Sequence, residues 1–285
     1  MRTIILFLCF ISLLPTYVFA SNNLMLDKVE IKQYGHTPIP GPLFLNNKKL
    51  QELIKEIEKK VAIEPKNAHW SEDNELIAER PGRMLDKQAF QVLFRSAFYD
   101  GSIKQITVPT MPVYPSVDRA LLEEIQAREL GSYVTYYKKE NKERAENIAL
   151  AAAAIDSHVI FPGEVFSFNE IVGERTVERG YKRAPVIVKG ELSEDIGGGI
   201  CQVSSTLFNA VDLKGIQIVE RYAHSRRVPY VPEGRDATVS WWGPDFVFKN
   251  KYNQPVLIRA HAKNGRMVIR ILSSESVVPF TGNDS

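Results

Sequence analysis

The residues best suited to chemistry in this sequence are three consecutive glycines and the cysteine that follows them. The glycines occupy positions 197–199, and Cys201 opens a stretch whose apolar spacing predicts a helix. A thiol in the first turn of a helix lies where the helix dipole stabilises an anion, which lowers the thiol pKa and favours the nucleophilic thiolate. Because glycine lets a ligand approach the backbone closely, Gly198, Gly199 and Gln202 are predicted to line a substrate site beside this thiol.

Two further chemical groups, an imidazole and a carboxylate, follow Cys201 along the chain. They belong to His224 and Asp236, so the order is thiol, imidazole, carboxylate. A thiol hydrolase or transferase needs such a set, because the imidazole takes the thiol proton and the carboxylate fixes the imidazole tautomer. Backbone N–H groups at the start of the helix can receive the oxyanion. Arg226 and Arg235 lie in the same two segments and suit a substrate carboxylate.

A structural interpretation of the same residues stays open at this point. A single cysteine is often a small buried apolar residue, His224 suits a surface turn, and Asp236 suits an ion pair with Arg235. The histidines are scattered along the chain without the spacing of a metal site, so neither a metal nor another cofactor is expected.

Residues 1–20 have the pattern of a secretory signal peptide. A positive charge at Arg2 is followed by an apolar run and by a small-residue cleavage site before Ser21. The run is short for a membrane span, so an exported mature chain without an integral span is expected, in the cell wall, the periplasm or the medium. Cys9 leaves with this segment, and Cys201 then has no disulfide partner. The formal net charge of +2 falls to +1 without Arg2, which gives no reason to expect nucleic acid.

The rest of the chain divides into two modules. A change in composition near Gly131 separates an N-terminal domain, 24–128, from a C-terminal domain, 129–273, and a polar tail is predicted over 274–285. The predicted fold class is α+β, with a mixed α/β N-terminal module and a strand-rich α+β module that carries the cysteine helix. The patterns predict helices over 48–61, 87–99 and 144–156, and strands over 237–242, 246–248, 255–260 and 267–272.

Several motifs of the C-terminal module recur together in one known family. They are Phe166-Ser-Phe-Asn169, Gly180-Tyr181, Ala184-Pro-Val-Ile187, 197–210, Ile218-Val-Glu-Arg221, His224-Ser-Arg226, Tyr230-Val-Pro232, 234–239 and Gly243-Pro-Asp245. In this combination the chain resembles the VanW family, named for a component of some glycopeptide-resistance clusters, over about residues 130–260. Residues 68–126 resemble, more weakly, a peptidoglycan-binding-like domain that often precedes VanW domains, through Arg80-Pro-Gly-Arg-Met-Leu-Asp86 and Ile106-Thr-Val-Pro109.

The resemblance implies an exported cell-wall enzyme, an L,D-transpeptidase with an essential cysteine, whose partners are peptidoglycan stem peptides. Cys201 matches the family cysteine, while the roles of His224 and Asp236 are inferred from their chemistry. With water as the acceptor, the same reaction gives an L,D-carboxypeptidase. The alternative from another functional class is a non-catalytic peptidoglycan-binding or envelope-structure protein in which Cys201 is structural.

Overall fold

The computed structural model describes residues 24–27, 31–35, 44–71, 73–100, 102–188 and 191–279. The predicted signal peptide lies outside these ranges. Helices and strands are mixed along the described chain, which confirms the α+β class. No helix within these ranges is both long and apolar enough to cross a membrane.

The described elements follow one another in a mixed order. They are β1 (Met25–Asp27), α1 (Asn47–Val61), β2 (His69–Trp70), β3 (Leu76–Ile77), β4 (Gly82–Leu85), α2 (Lys87–Tyr99), β5 (Gln105–Thr107), β6 (Thr110–Val113), α3 (Arg119–Ile125), β7 (Arg128–Tyr136), α4 (Lys142–Ile155), β8 (Val159–Ile160), β9 (Val165–Ser167), α5 (Phe168–Val172), β10 (Arg183–Val188), β11 (Glu191–Ile196), α6 (Ile200–Val211), β12 (Ile216–Glu220), β13 (Val247–Asn250), β14 (Val256–Lys263) and β15 (Arg266–Ser273).

The chain contacts divide these elements into two compact units. The first contains residues up to 64 together with 82–113, and the second contains 65–81 together with 114–285. Residues 65–81 and 114–128 thus group with the C-terminal unit, whereas the sequence predicts the change of domain between 128 and 129. Of the predicted polar tail, 274–279 are described, and Ser274 and Val277 are buried there.

The first unit combines helices α1 and α2 with two antiparallel strand pairs, β1–β5 and β4–β6. Each helix begins where the sequence offers a capping side chain. Asn46 accepts hydrogen bonds from the first backbone N–H groups of α1, and Asp86 does so for α2. The apolar faces of both helices form one core, whose buried members include Leu50, Leu53, Ile57, Phe90, Phe94 and Phe98.

The second unit is built on two antiparallel sheets and a hairpin. One sheet has four strands in the order β7-β15-β14-β8, and the other has three in the order β12-β13-β9. Strands β10 and β11 pair as a separate hairpin that leads directly into α6. Helix α6 contacts β7, β15 and α4, and α4 also contacts β14, so both helices cover the four-stranded sheet. The cysteine-bearing helix is therefore the buried centre of this unit.

The strand predicted over 237–242 is wrong. The structure has a loop there, and only Thr238 forms an isolated bridge, with Tyr222. The reason is a competing set of hydrogen bonds, because the hydroxyls of Ser204 and Ser205 on α6 both donate to the Ala237 carbonyl, at 2.6 and 3.3 Å. The Ala237 N–H donates to the Ser205 hydroxyl at 2.9 Å. The helix satisfies polar backbone groups that a sheet would otherwise pair.

We predict that Phe248→Ala lowers the free energy of unfolding by about 3–5 kcal/mol, the usual cost of emptying a buried aromatic site. Phe248 is fully buried on β13, and its ring stacks on Phe166 of β9 with centroids 4.8 Å apart. Urea denaturation followed by circular dichroism measures the change. Val219→Ala on β12 is the control, since Val219 is 56% exposed and its loss should cost under about 0.5 kcal/mol. Equal costs for the two variants would contradict the assigned core.

Candidate active site

The turn between β11 and α6 requires glycine for two different reasons. Gly197 and Gly199 have φ angles of 86° and 112°, which residues with a Cβ rarely adopt. Gly198 is needed for close approach, because a Cβ there would lie 2.5 Å from the Ala184 carbonyl oxygen of β10. The turn is therefore pressed against the neighbouring hairpin, and this fixes the point at which α6 begins.

A buried asparagine holds the same turn from the other side. The Asn147 side chain on α4 donates to the Gly198 carbonyl at 3.0 Å and to the Lys182 carbonyl at 2.9 Å. Its oxygen accepts from the Lys182 N–H at 2.8 Å. Because Asn147 is fully buried, these bonds form in a medium where an unmet polar group is costly. Helix α4 thereby locks the glycine turn in place.

The first turn of α6 has no side-chain cap, and Gly199 occupies the capping position. The Ile200 N–H donates to the Gly197 carbonyl at 3.2 Å, and the Gln202 N–H donates to the Gly199 carbonyl at 3.0 Å. The N–H of Cys201 lies between these two and finds no acceptor among the described residues. This donor is therefore free to bind an oxygen of a bound molecule at the positive end of the helix dipole.

Cys201, His224 and Asp236 come together around this helix start. The Asp236 carboxylate accepts hydrogen bonds from both Nδ1 and the backbone N–H of His224, each at 2.6 Å. The imidazole also lies near enough to the Cys201 thiol for each group to shift the pKa of the other. The thiol further contacts the Val239 carbonyl at 3.4 Å and the Thr238 hydroxyl at 3.8 Å. The structure thus brings the three predicted catalytic side chains together, with His224 hydrogen-bonded to Asp236 and facing the same cavity as Cys201.

The charges in this site shift the pKa values of both the Cys201 thiol and the His224 imidazole. Burial raises the pKa of the Cys201 thiol, but the combined effects of His224, Val239 and Thr238 outweigh it, so the pKa lies below its usual value. Burial lowers the pKa of His224, and the opposing effects of Cys201 and Asp236 raise it above its usual value. These opposite shifts favour the thiolate–imidazolium pair. Hydrogen bonds and charge from His224 also keep the pKa of Asp236 low, against the effect of its burial.

A cavity of about 960 Å³ opens at this pair. Its walls include Cys201, His224 and Tyr230, and the rings of Trp241 and Trp242 face each other edge-on with centroids 5.9 Å apart. Trp242 is 87% exposed, which is unusual for a tryptophan and leaves its ring open to a ligand. The cavity therefore places the Cys201 thiol and an exposed aromatic surface in one space.

The predicted substrate-binding residues divide into those that line the cavity and those that do not. Gly199 and Gln202 line it, while Gly198 is covered by β10. Arg226 is exposed and Arg235 is half-buried, and neither belongs to the cavity wall.

Arg235, which the sequence predicts to bind a substrate carboxylate, makes other contacts in the structure. Its guanidinium binds Asp212 at 2.6 Å and Asn209 at 2.7 Å, and it lies over the Phe208 ring, 5.0 Å from the centroid. All three partners are at the C-terminal end of α6. Arg235 therefore ties its loop to the far end of the helix rather than to the cavity.

Two other arginines, which the sequence did not single out, lie at the cavity instead of Arg226 and Arg235. Arg144 and Arg175 both line the cavity. Arg144 lies in the first turn of α4, where a charged residue is typical of a solvated helix start, and Arg175 lies in an irregular segment after α5. No spacing rule connects either position with Cys201, so only the tertiary structure reveals them. Among the described residues no group of three His, Cys, Asp or Glu side chains is placed to hold a metal ion.

Comparison with known proteins gives a consistent set of similarities. Residues 143–272 match the family described as "VanW like protein". The chain is 51% identical over 262 residues to a Bacillus subtilis (strain 168) protein named "Uncharacterized protein YoaR", covering 88% of this chain and 86% of the relative. It is 34% identical over 111 residues to "Vancomycin B-type resistance protein VanW" of Enterococcus faecalis (strain ATCC 700802 / V583), covering 36% of this chain and 40% of that protein. No solved structure is significantly similar.

We predict that Cys201 is alkylated by iodoacetamide with an apparent pKa below the value of about 8.5 for a free thiol. The reason is that His224, Val239 and Thr238 together stabilise the thiolate more than burial destabilises it. The rate is measured against pH from the mass of the tryptic peptide that carries Cys201. In Asp236→Asn the imidazolium loses its carboxylate, so the inflection should move to higher pH, whereas Asp73→Asn, at an exposed position outside the cavity wall, should leave it unchanged. A wild-type inflection at or above 8.5 would contradict the thiolate assignment.

Proposed function

The chain belongs to the VanW family, and on this premise we propose that it is an exported cysteine L,D-transpeptidase acting on peptidoglycan stem peptides. The observation that carries the proposal is the Cys201–His224–Asp236 chain at an uncapped helix start, open to a large cavity. The signal-peptide pattern of residues 1–20 supports an extracytoplasmic location. The enterococcal relative is named for vancomycin resistance, which agrees with a role in the cell wall.

The first half of the reaction acylates the cysteine. His224 takes the proton of the Cys201 thiol, and the sulfur attacks the carbonyl carbon between an L-centre and the following D-residue of the stem. The developing oxyanion is received by the N–H of Cys201. The C–N bond then breaks, the His224 imidazolium returns the proton to the leaving amine, and D-alanine departs. The product is a thioester on Cys201.

The second half transfers the acyl group. An amine of a neighbouring stem attacks the thioester carbonyl, and His224 accepts a proton from that amine. The C–S bond breaks, the sulfur leaves as the thiolate, and a new amide joins the two stems. Water in place of the amine releases a free carboxylate, which makes the reaction an L,D-carboxypeptidation. Asp236 stays ionised throughout and holds the imidazole in the tautomer that faces the sulfur.

The alternative is a non-catalytic envelope protein in which Cys201 only packs. Cys201 is half-buried and lies on the wall of a cavity, which favours a reacting thiol over a packing one. The peptidoglycan-binding role of residues 24–128 stays a prediction, and binding of the full chain to purified sacculi against a charge-matched control protein would test whether this protein binds the wall.

We predict that incubation with a purified stem tetrapeptide adds an acyl group to the chain as a thioester on Cys201. Intact-mass analysis followed by peptide mapping locates the adduct. Cys201→Ala should show no adduct and no transfer while keeping the circular dichroism spectrum of the wild type. If wild type and variant are equally active, Cys201 is not the nucleophile. If the variant instead unfolds, the packing role is favoured.

We predict that His224→Ala slows acylation by about 10²–10⁴-fold, the usual contribution of a general base. The matched control is His69→Ala, because His69 is exposed on β2, its ring hydrogen-bonds to the Asn67 carbonyl, and it does not line the cavity. Single-turnover rates of thioester formation measure both variants. A severe loss in His69→Ala, or none in His224→Ala, would show that the base is wrongly assigned.

A further inference from the structure

Arg144 and Arg175 line the cavity without a carboxylate to neutralise them. The guanidinium of Arg144 donates to the Gln202 side-chain oxygen at 3.0 Å, and that of Arg175 donates to the Asn169 side-chain oxygen at 2.7 Å. Neither forms an ion pair with any described Asp or Glu. By contrast, the enclosed guanidinium of Arg259 is paired with Asp156 at 3.0 Å. Buried charges in proteins are ordinarily paired, so two unpaired guanidinium groups at one cavity need an explanation.

One nitrogen of this pair is also left without a hydrogen bond. Nη1 of Arg175 is enclosed by protein and has no partner among the described residues. An unmet buried donor costs about 1–3 kcal/mol, and more when it is charged. Burial lowers the pKa of both arginines, while the negative charge of Cys201 raises it again for both. Asp245 has the same raising effect on Arg175, but its oxygens are used by Ser167 and by backbone N–H groups.

The glycine turn is what lets these two side chains lie so close to the cysteine. A Cβ on Gly197 would come within 3.2 Å of the Arg175 stem, and a Cβ on Gly199 within 3.0 Å of the Arg144 stem. The Gln202 amide that holds Arg144 is itself fixed, since it donates to Thr135 and to the carbonyl of Tyr136, each at 3.0 Å. The first turn of α6 is thus built to present one cysteine and two guanidinium groups together.

We propose that Arg144 and Arg175 bind the free carboxylate of the residue that leaves when Cys201 is acylated. The proposal rests on the proposed function and deepens it. Consecutive Cα atoms are about 3.8 Å apart, so the carboxylate of a C-terminal residue lies within one residue length of the carbonyl under attack. Its counter-charge must therefore lie in the same part of the cavity as the sulfur, and both arginines line that cavity within reach of the charge of Cys201. A planar guanidinium can bind a carboxylate through two parallel N–H bonds, which gives geometric selection as well as affinity.

This arrangement makes the enzyme specific for stems that end directly after the bond that is cut. A C-terminal amide removes the negative charge, and an additional residue moves it away from the arginines. Glu174 and Asp195 also line the cavity, but both are exposed, and they would repel a carboxylate. The arginine pair is therefore the part of the cavity that is selective for an anion.

The test compares three synthetic stem peptides on the full chain: a tetrapeptide acid, its C-terminal amide and the acid extended by one D-residue. We expect the acid to acylate Cys201 about 10–100-fold faster than the other two, the range of a hydrogen bond to a charged group. Arg175→Gln should remove this preference by slowing the acid alone, because the glutamine amide keeps polarity without charge. Arg144→Gln should also remove the preference. It provides the test if Arg175→Gln melts at a lower temperature than the wild type. Arg226→Gln, outside the cavity, should keep the preference.

A second readout separates this proposal from the proposed function. The peptides are used to protect Cys201 from iodoacetamide, which needs binding but no acyl transfer. Stronger protection by the acid than by the amide, lost in Arg175→Gln, would support the carboxylate site even if no peptide acylates the enzyme. If acid and amide protect or acylate equally in the wild type, or if both arginine variants keep the preference, the proposal is overturned.

Discussion

The close approach of the Gly198 backbone to the Ala184 carbonyl is the constraint on which the site depends. It holds the end of the β10–β11 hairpin against the start of α6, and Asn147 closes the same turn from α4. No side chain larger than hydrogen can occupy position 198 without moving the hairpin. The position of Cys201 and of its open N–H depends on this contact, while Gly197 and Gly199 leave room for the stems of Arg175 and Arg144.

Helix α6 both carries Cys201 and orders the segment that contains Asp236. The hydroxyls of Ser204 and Ser205 bind the Ala237 backbone, one residue after Asp236, and Arg235 is bound to the opposite end of the helix. The loop is thereby tied to α6 on both sides of the carboxylate that orients His224. Ser204 and Ser205 are buried polar residues of α6 that this loop explains, whereas Gln202 and Thr206 bond to Thr135 of the sheet strand β7.

Much of the fold and the three catalytic candidates could be predicted from the sequence, because local patterns encode them. The caps Asn46 and Asp86 mark two helix starts, and the spacing of thiol, imidazole and carboxylate indicates the triad. Residues 237–242 have the alternation of apolar and polar residues that is typical of a strand. They form a loop because their backbone is hydrogen-bonded to the serines of α6. The two cavity arginines carry no local signal at all. Their role depends on three segments meeting at the glycine turn, which no single stretch of sequence contains.

The interactions that shift the Cys201 pKa downward all come from distant parts of the chain. His224, Thr238 and Val239 are 23 to 38 residues away in sequence, and the oriented imidazole depends in turn on Asp236. An unfolded chain therefore carries an ordinary, largely protonated thiol. The low pKa of this thiol therefore exists only in the folded protein. The rate at which Cys201 reacts with an alkylating reagent is thus a measure of how much of the protein is folded.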